Sequence, residues 1–102
     1  MIRMSVHMVE AKIERESVTD VQAAAKKVFA AIDAAQPEGL RYASCLLPDG
    51  ETFLAFLELD DGLENPLPEL PAFQQFLQLV EASRAEPANV QALTVVGSYR
   101  LF

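Results

Sequence analysis

The chain has 102 residues and no tryptophan, one cysteine, one histidine and four glycines. A single cysteine, Cys45, excludes an internal disulfide, so nothing requires an oxidising compartment. One histidine and one cysteine make a zinc site improbable, because zinc takes several nitrogen or sulfur ligands. Basic residues are also scarce: eight Lys and Arg against 15 Asp and Glu leave a net charge of −7. Nucleic acid and anionic membrane surfaces are therefore excluded as expected partners, since neutralising phosphates needs a basic patch. No apolar run approaches the roughly 20 residues of a membrane span, and the start, Met-Ile-Arg-Met-Ser-Val-His, has no apolar signal core. The expected location is cytoplasmic. The four glycines, Gly39, Gly50, Gly62 and Gly97, are isolated from one another, so no phosphate-cradling loop is present.

Half of the residues are hydrophobic, which suits a globular chain, and the length suits one domain over residues 1–102. The densest apolar stretch is Thr52–Asp61, Thr-Phe-Leu-Ala-Phe-Leu-Glu-Leu-Asp-Asp, expected to be a central strand. It follows Pro48-Asp49-Gly50, a turn in which proline presets φ, aspartate bonds nearby backbone and glycine accepts positive φ. The stretch before that turn, Leu40–Leu47, reads as the other half of an antiparallel hairpin. A first strand is expected over Ser5–Glu14. A helix follows, with Val21, Ala24, Ala25, Val28, Phe29, Ile32 and Ala35 at helical spacing. Ser17 with Asp20, or Thr19 with Gln22, has the spacing of a capping box, and Pro37 and Gly39 mark the helix end.

Pro66, Pro68 and Pro71 prevent a regular helix in the acidic connector, and Pro71 fits the first turn of a second helix with Phe73, Phe76, Leu77 and Val80 on one face. The last strand is expected over Val90–Leu101. The order is βαββαβ: an α+β, ferredoxin-like fold, with a four-stranded antiparallel sheet and two helices on one face.

Two helices cover one face only. In the third strand Phe53, Ala55, Leu57 and Leu59 alternate with Leu54 and Phe56, so both faces are apolar. Leu54 and Phe56 are expected to be exposed in a single copy, with Val6, Met8, Ala92 and Val96 extending the patch. Such a patch drives association, and the expected partner is a second copy, forming a homodimer through the helix-free sheet face.

Several residues are candidates for chemistry. His7 shares a strand face with Val9, Ala11 and Ile13 and is either an acid/base near neutral pH or a hydrogen-bonded strand-end residue. Glu58, between Leu57 and Leu59, becomes a plausible base if burial raises its pKa; otherwise it is solvated or paired with an arginine such as Arg100. Tyr42, Cys45 and Tyr99 are candidate ligand-lining residues, with ordinary core packing as the alternative for each. The acidic set Glu58, Asp60, Asp61 and Glu64 lacks the alternating spacing of a calcium loop, so no metal is expected.

Thr52–Asp60, Pro71-Ala72-Phe73-Gln74-Gln75-Phe76 and Leu93-Thr94-Val95-Val96-Gly97-Ser98-Tyr99 carry a resemblance. With the βαββαβ order and the length, the chain resembles the dimeric α+β barrel superfamily, and within it the antibiotic-biosynthesis-monooxygenase-like proteins. The resemblance implies paired ferredoxin-like units and a ligand cavity between sheet and helices. It also implies activities that range from oxygenation without cofactor to isomerisation and plain ligand binding. The tryptophan often found after the third strand in the family's oxygenases is missing. So is the second-helix histidine of its haem-binding members, and no cofactor is expected. Two functions remain open: a monooxygenase-like enzyme or ligand-binding protein for a small hydrophobic or aromatic compound, or a non-catalytic dimeric module. The first requires a cavity of a few hundred cubic ångströms between sheet and helices; the second requires that space to be filled. The strand face turned to the helices decides whether His7 lies at such a cavity.

Overall fold

The computed structural model describes residues 4–101. Four strands, β1 (Met4–Lys12), β2 (Leu40–Leu46), β3 (Thr52–Asp60) and β4 (Asn89–Leu93), form one antiparallel sheet in the order β2-β3-β1-β4. The helices α1 (Val18–Ala35) and α2 (Pro71–Ser83) lie together on one face, and single 3-10 turns occupy Arg15–Ser17 and Leu67–Glu69. This is the ferredoxin-like βαββαβ arrangement.

The β2–β3 hairpin forms as the turn residues dictate. Asp49 Oδ1 accepts from the Glu51 and Thr52 backbone N–H groups at 2.8 and 2.9 Å, and the Thr52 hydroxyl donates to Oδ2 at 2.6 Å. Gly50 takes φ +74°. At the helix-bearing end, Ile13 N–H donates to Glu51 O and Ala85 N–H donates to Lys12 O, so β1 is clamped between the hairpin and the end of α2. The capping box expected at the start of α1 does not form. The preceding 3-10 turn puts Ser17 in a helical conformation, and its side chain makes no cap hydrogen bond. The other end closes at Gln36, which adopts a left-handed φ of 49° and donates its N–H to Ile32 O. Pro71 opens α2, where its missing N–H costs nothing.

Core contacts settle which face meets the helices. Ala11, Ile13 and Phe53 cluster with Val21 of α1; Val28, Leu67 and Phe73 form a second cluster, against which Tyr42 and Leu57 pack. The His7/Val9/Ala11/Ile13 face of β1 and the Phe53/Ala55/Leu57/Leu59 face of β3 therefore look towards the helices. Leu67, fully buried, comes from the proline-rich connector, which is part of the core rather than a spacer.

Two expectations change. The last strand ends at Leu93 instead of Leu101: β4 pairs with β1 only from Asn89 to Leu93, and residues 94–101 leave the sheet. The helix-free face is also less open than expected. Val6, Thr52 and Glu58 are buried there, and Met8, Leu54 and Phe56 are half-buried rather than exposed. Glu58 sits between Val6 on β1 and Arg41 on β2, and the long Arg41 side chain reaches it from the neighbouring strand. Ala92 stands opposite His7, so it belongs to the helix side of the sheet and not to that patch.

Candidate functional site: an apolar cavity between sheet and helices

The sheet register explains how a cavity arises. On the helix side, Tyr42, Leu57, His7 and Ala92 form one row across the four strands, and Ser44, Ala55, Val9 and Val90 form the next. Ala55 at the centre of β3 is too small to fill the space above it, and Ala92 is small beside His7. The result is a cavity of about 390 Å³ between sheet and helices, within the size range of small-molecule sites. Its floor includes Val9, Ala55 and Leu57, and its roof includes Phe73, Phe76 and Val80 of α2. Leu77 and Val90 line it while remaining exposed, which puts its rim between α2 and the β4 edge.

One end of the cavity is aromatic. The Tyr42 ring stacks on Phe29 with centroids 5.3 Å apart and meets Phe73 edge-on at 6.4 Å, and Phe73 in turn packs against Phe76 at 6.3 Å. Burial raises the pKa of the Tyr42 phenol, so it remains a hydrogen-bond donor across the neutral range.

Among the described residues the lining is otherwise apolar, with four polar side chains, His7, Tyr42, Ser44 and Asn65, and no Asp, Glu, Lys or Arg. Among the described residues, none hydrogen-bonds the His7 ring, the Tyr42 hydroxyl or the Ser44 hydroxyl. Two strand spacings separate Tyr42 from His7, about 10 Å between backbones, with Leu57 between them. A ring system lying on Leu57 and Ala55 would meet a polar group at each end.

Asn65 was not singled out in the sequence. Its Oδ1 accepts from the Leu67 N–H at 3.0 Å, which turns the carboxamide and leaves its NH₂ as a donor at the cavity wall. The available signal was an Asn-Pro pair ahead of a turn, the setting in which an asparagine side chain caps backbone two residues on.

The remaining candidates are elsewhere. Glu58 is buried, with a relative exposure of 1%, but on the helix-free face. Its partner is Arg41, which faces it in register, rather than Arg100; Oε2 is buried and has no hydrogen-bond partner among the described residues. Arg41 also donates from Nη2 to Asp60 Oδ1 at 2.6 Å, and hydrogen bonds to Glu58 and then Asp60 raise its pKa. Cys45 is exposed on β2, pointing away from the Tyr42 side, and Tyr99 is exposed beyond the end of the sheet. The structure thus brings His7 and Tyr42 to one cavity, and places Glu58, Cys45 and Tyr99 outside it. Among the described residues, no group of three His, Cys, Asp or Glu side chains is placed to hold a metal ion, and no helix is long and apolar enough to cross a membrane.

No family model and no curated protein matches the sequence. Solved structures do match the fold. An antibiotic biosynthesis monooxygenase assignment from Nitrosomonas europaea superposes with a TM-score of 0.74 at 14% identity, covering 94% of this chain and 93% of that one. A variant of SnoaB from Streptomyces nogalater, described as a cofactor-independent oxygenase, gives 0.70 at 11% identity over 96% and 98%. Rv0793 from Mycobacterium tuberculosis gives 0.66 at 14% over 94% and 98%. The chain has the ferredoxin-like α+β fold of these solved structures, several of which are described as antibiotic biosynthesis monooxygenases. At these identities the likeness is one of fold, and fold alone does not assign a reaction.

Proposed function

We propose that the protein binds a small hydrophobic or aromatic compound in the cavity beside His7 and Tyr42 and acts on it as a monooxygenase-like enzyme. The observation that carries this reading is the cavity itself: an apolar, partly aromatic space with no charged wall among the described residues, into which His7, Tyr42 and Ser44 bring polar groups that no described residue hydrogen-bonds. Such a space favours a flat, uncharged ring system, because an ion would lose its hydration without gaining a counter-charge. His7, a cavity-lining imidazole whose ring no described residue hydrogen-bonds, is the group to take a proton from an acidic phenol or activated methylene. Tyr42, held protonated, donates a hydrogen bond to the oxygen that gains charge. The names of the structural neighbours support oxygenation as the chemistry that follows. A purely structural module would fill this space with its phenylalanines and leucines, and the open cavity speaks against that alternative.

The protein acts as a homodimer through its helix-free sheet face in this reading. Half-buried Met8, Leu54 and Phe56 lie there and would be sealed by a second copy.

Thermal-shift screening with uncharged naphthoquinones and anthrone-like aromatics tests the cavity, because a ligand that binds only the folded chain raises the melting temperature. Compounds that stabilise the wild type should fail to stabilise Ala55→Phe, which fills the floor. Oxygen uptake with a binding compound should then fall at least tenfold in His7→Gln. Absence of any shift across the panel overturns the ligand reading; binding with unchanged turnover in His7→Gln overturns the role of His7.

A further inference from the structure

The polar side chains of the cavity are gathered in one half of it. Tyr42 and His7 stand in the row that crosses β3 at Leu57, and Ser44 stands in the next row, at Ala55. Asn65 follows the end of β3, beyond Leu59, and so joins the same half. The row after Ala55 crosses β3 at Phe53, with Ala11 beside it on β1. From that row to Ile13 the sheet lines the cavity with Ala11, Ile13 and Phe53, and among the described residues no polar side chain joins them.

This apolar half is long and closed at its end. β1 advances about 13 Å from Val9 to Ile13, with the small Ala11 between them. Ile13 and Val21 at the far end are fully buried, and Phe76 and Val80 of α2 pack over it. The exposed rim lies elsewhere. Val90 stands in the row of Val9, Ala55 and Ser44, so the mouth between Leu77 and Val90 opens beside the polar half.

A ligand that matches this lining is divided in the same way. Hydroxyl or carbonyl oxygens find hydrogen-bonding side chains only in the polar half. In the other half each buried methylene raises affinity about fourfold. A polar or charged group there loses its hydration and gains nothing in return. A ring system with oxygens all round its edge leaves some of them unpaired. One with oxygens on one side and a hydrocarbon chain on the other does not.

We propose that the ligand is a phenol or hydroquinone bearing one alkyl chain, its oxygens on the rows of His7, Tyr42 and Ser44 and its chain directed towards Ile13 and Val21. The proposal rests on the ligand-binding reading above and narrows it to a class of compound and an orientation.

Resorcinol, pentylresorcinol and a pentylresorcinol with a carboxylate at the chain terminus test it, with dissociation constants measured by calorimetry on the wild-type chain. Pentylresorcinol should bind at least about tenfold tighter than resorcinol, and the terminal carboxylate should remove that gain. A chain lying in the mouth would hold its carboxylate in water, so equal affinity of the two chain-bearing compounds overturns the orientation. That comparison uses no variant. Ala11→Leu, which fills the apolar half, should weaken pentylresorcinol at least about tenfold and leave resorcinol within about twofold. A gain from the chain that is unchanged in folded Ala11→Leu overturns the placement of the chain. Binding of naphthoquinones with no gain from the chain overturns this proposal and leaves the ligand reading standing. Absence of binding by every one of these compounds overturns both.

Discussion

Arg41 and Glu58 face each other across β2 and β3, and the guanidinium donates from Nε to a carboxylate that is 99% buried while the arginine remains half in water. Each is the sequence neighbour of a cavity residue, Tyr42 and Leu57, whose side chains point the other way. The pair therefore ties the edge strand to the central strand directly behind the cavity floor. Its geometry also separates what the residue types alone suggested: a buried carboxylate with a cation beside it is here a strand clamp, outside the cavity.

Arg41→Met should destabilise the chain by about 3 kcal/mol, the low end for breaking a buried pair, because water still reaches the site. Urea denaturation measures it. Adding Glu58→Gln should recover most of the loss, since the uncompensated charge is then gone.

Tyr42 makes stability pH-dependent at the alkaline end. Burial raises its folded-state pKa above the unfolded value of about 10. Its contribution is complete below that unfolded value and is lost as pH rises through the folded pKa, because ionised phenolate is better hydrated in the unfolded chain. The melting temperature should fall above about pH 10, and Tyr42→Phe should flatten that fall. Absorbance near the phenolate band should lose its late-titrating component in the same variant.

Asp49 acts at the acid end with the opposite sign. Its hydrogen bonds from the Thr52 hydroxyl and then from the Glu51 and Thr52 backbone lower its pKa. Its contribution is present above the unfolded pKa and is lost as pH falls through the lower folded one. Asp49→Ala should lower the melting temperature at neutral pH and reduce the further loss on acidification. A melting curve indistinguishable from wild type at both pH values would contradict the hairpin account.

Leu67 is fully buried with Val28 and Phe73 although it lies in the proline-rich connector. Leu67→Ala should cost about 2–5 kcal/mol, as for a buried core leucine. By contrast Leu63→Ala, in the same connector but exposed, should stay within about 0.5 kcal/mol. The pair of denaturation curves checks whether the connector is core or spacer.

The strands and helices were legible because each carries its own period. Phe53, Ala55, Leu57 and Leu59 alternate, Val21 and Val28 repeat at helical spacing, and Pro48-Asp49-Gly50 admits a turn. The end of β4 was not legible. Val95 to Leu101 alternate as a strand should, but among the described residues the pairing with β1 runs only from Asn89 to Leu93, and alternation alone does not say where pairing stops. The candidate site was half legible. His7 and Tyr42 stand in one row because β1, β2 and β3 align through Leu57, a relation between residues 35 positions apart that no local pattern encodes.

Period, turn chemistry and acidic composition by themselves determined the βαββαβ order, the hairpin and the net negative charge. Tertiary structure alone decided which face of each strand meets the helices. Both faces of β3 are apolar, so local hydrophobicity could not choose between them; helix packing against Ala11, Ile13 and Phe53 does. That choice turns His7 and Tyr42 into the cavity and sends Glu58 to the far side. It also leaves the small Ala55 in mid-sheet, where the missing side-chain volume becomes the cavity itself.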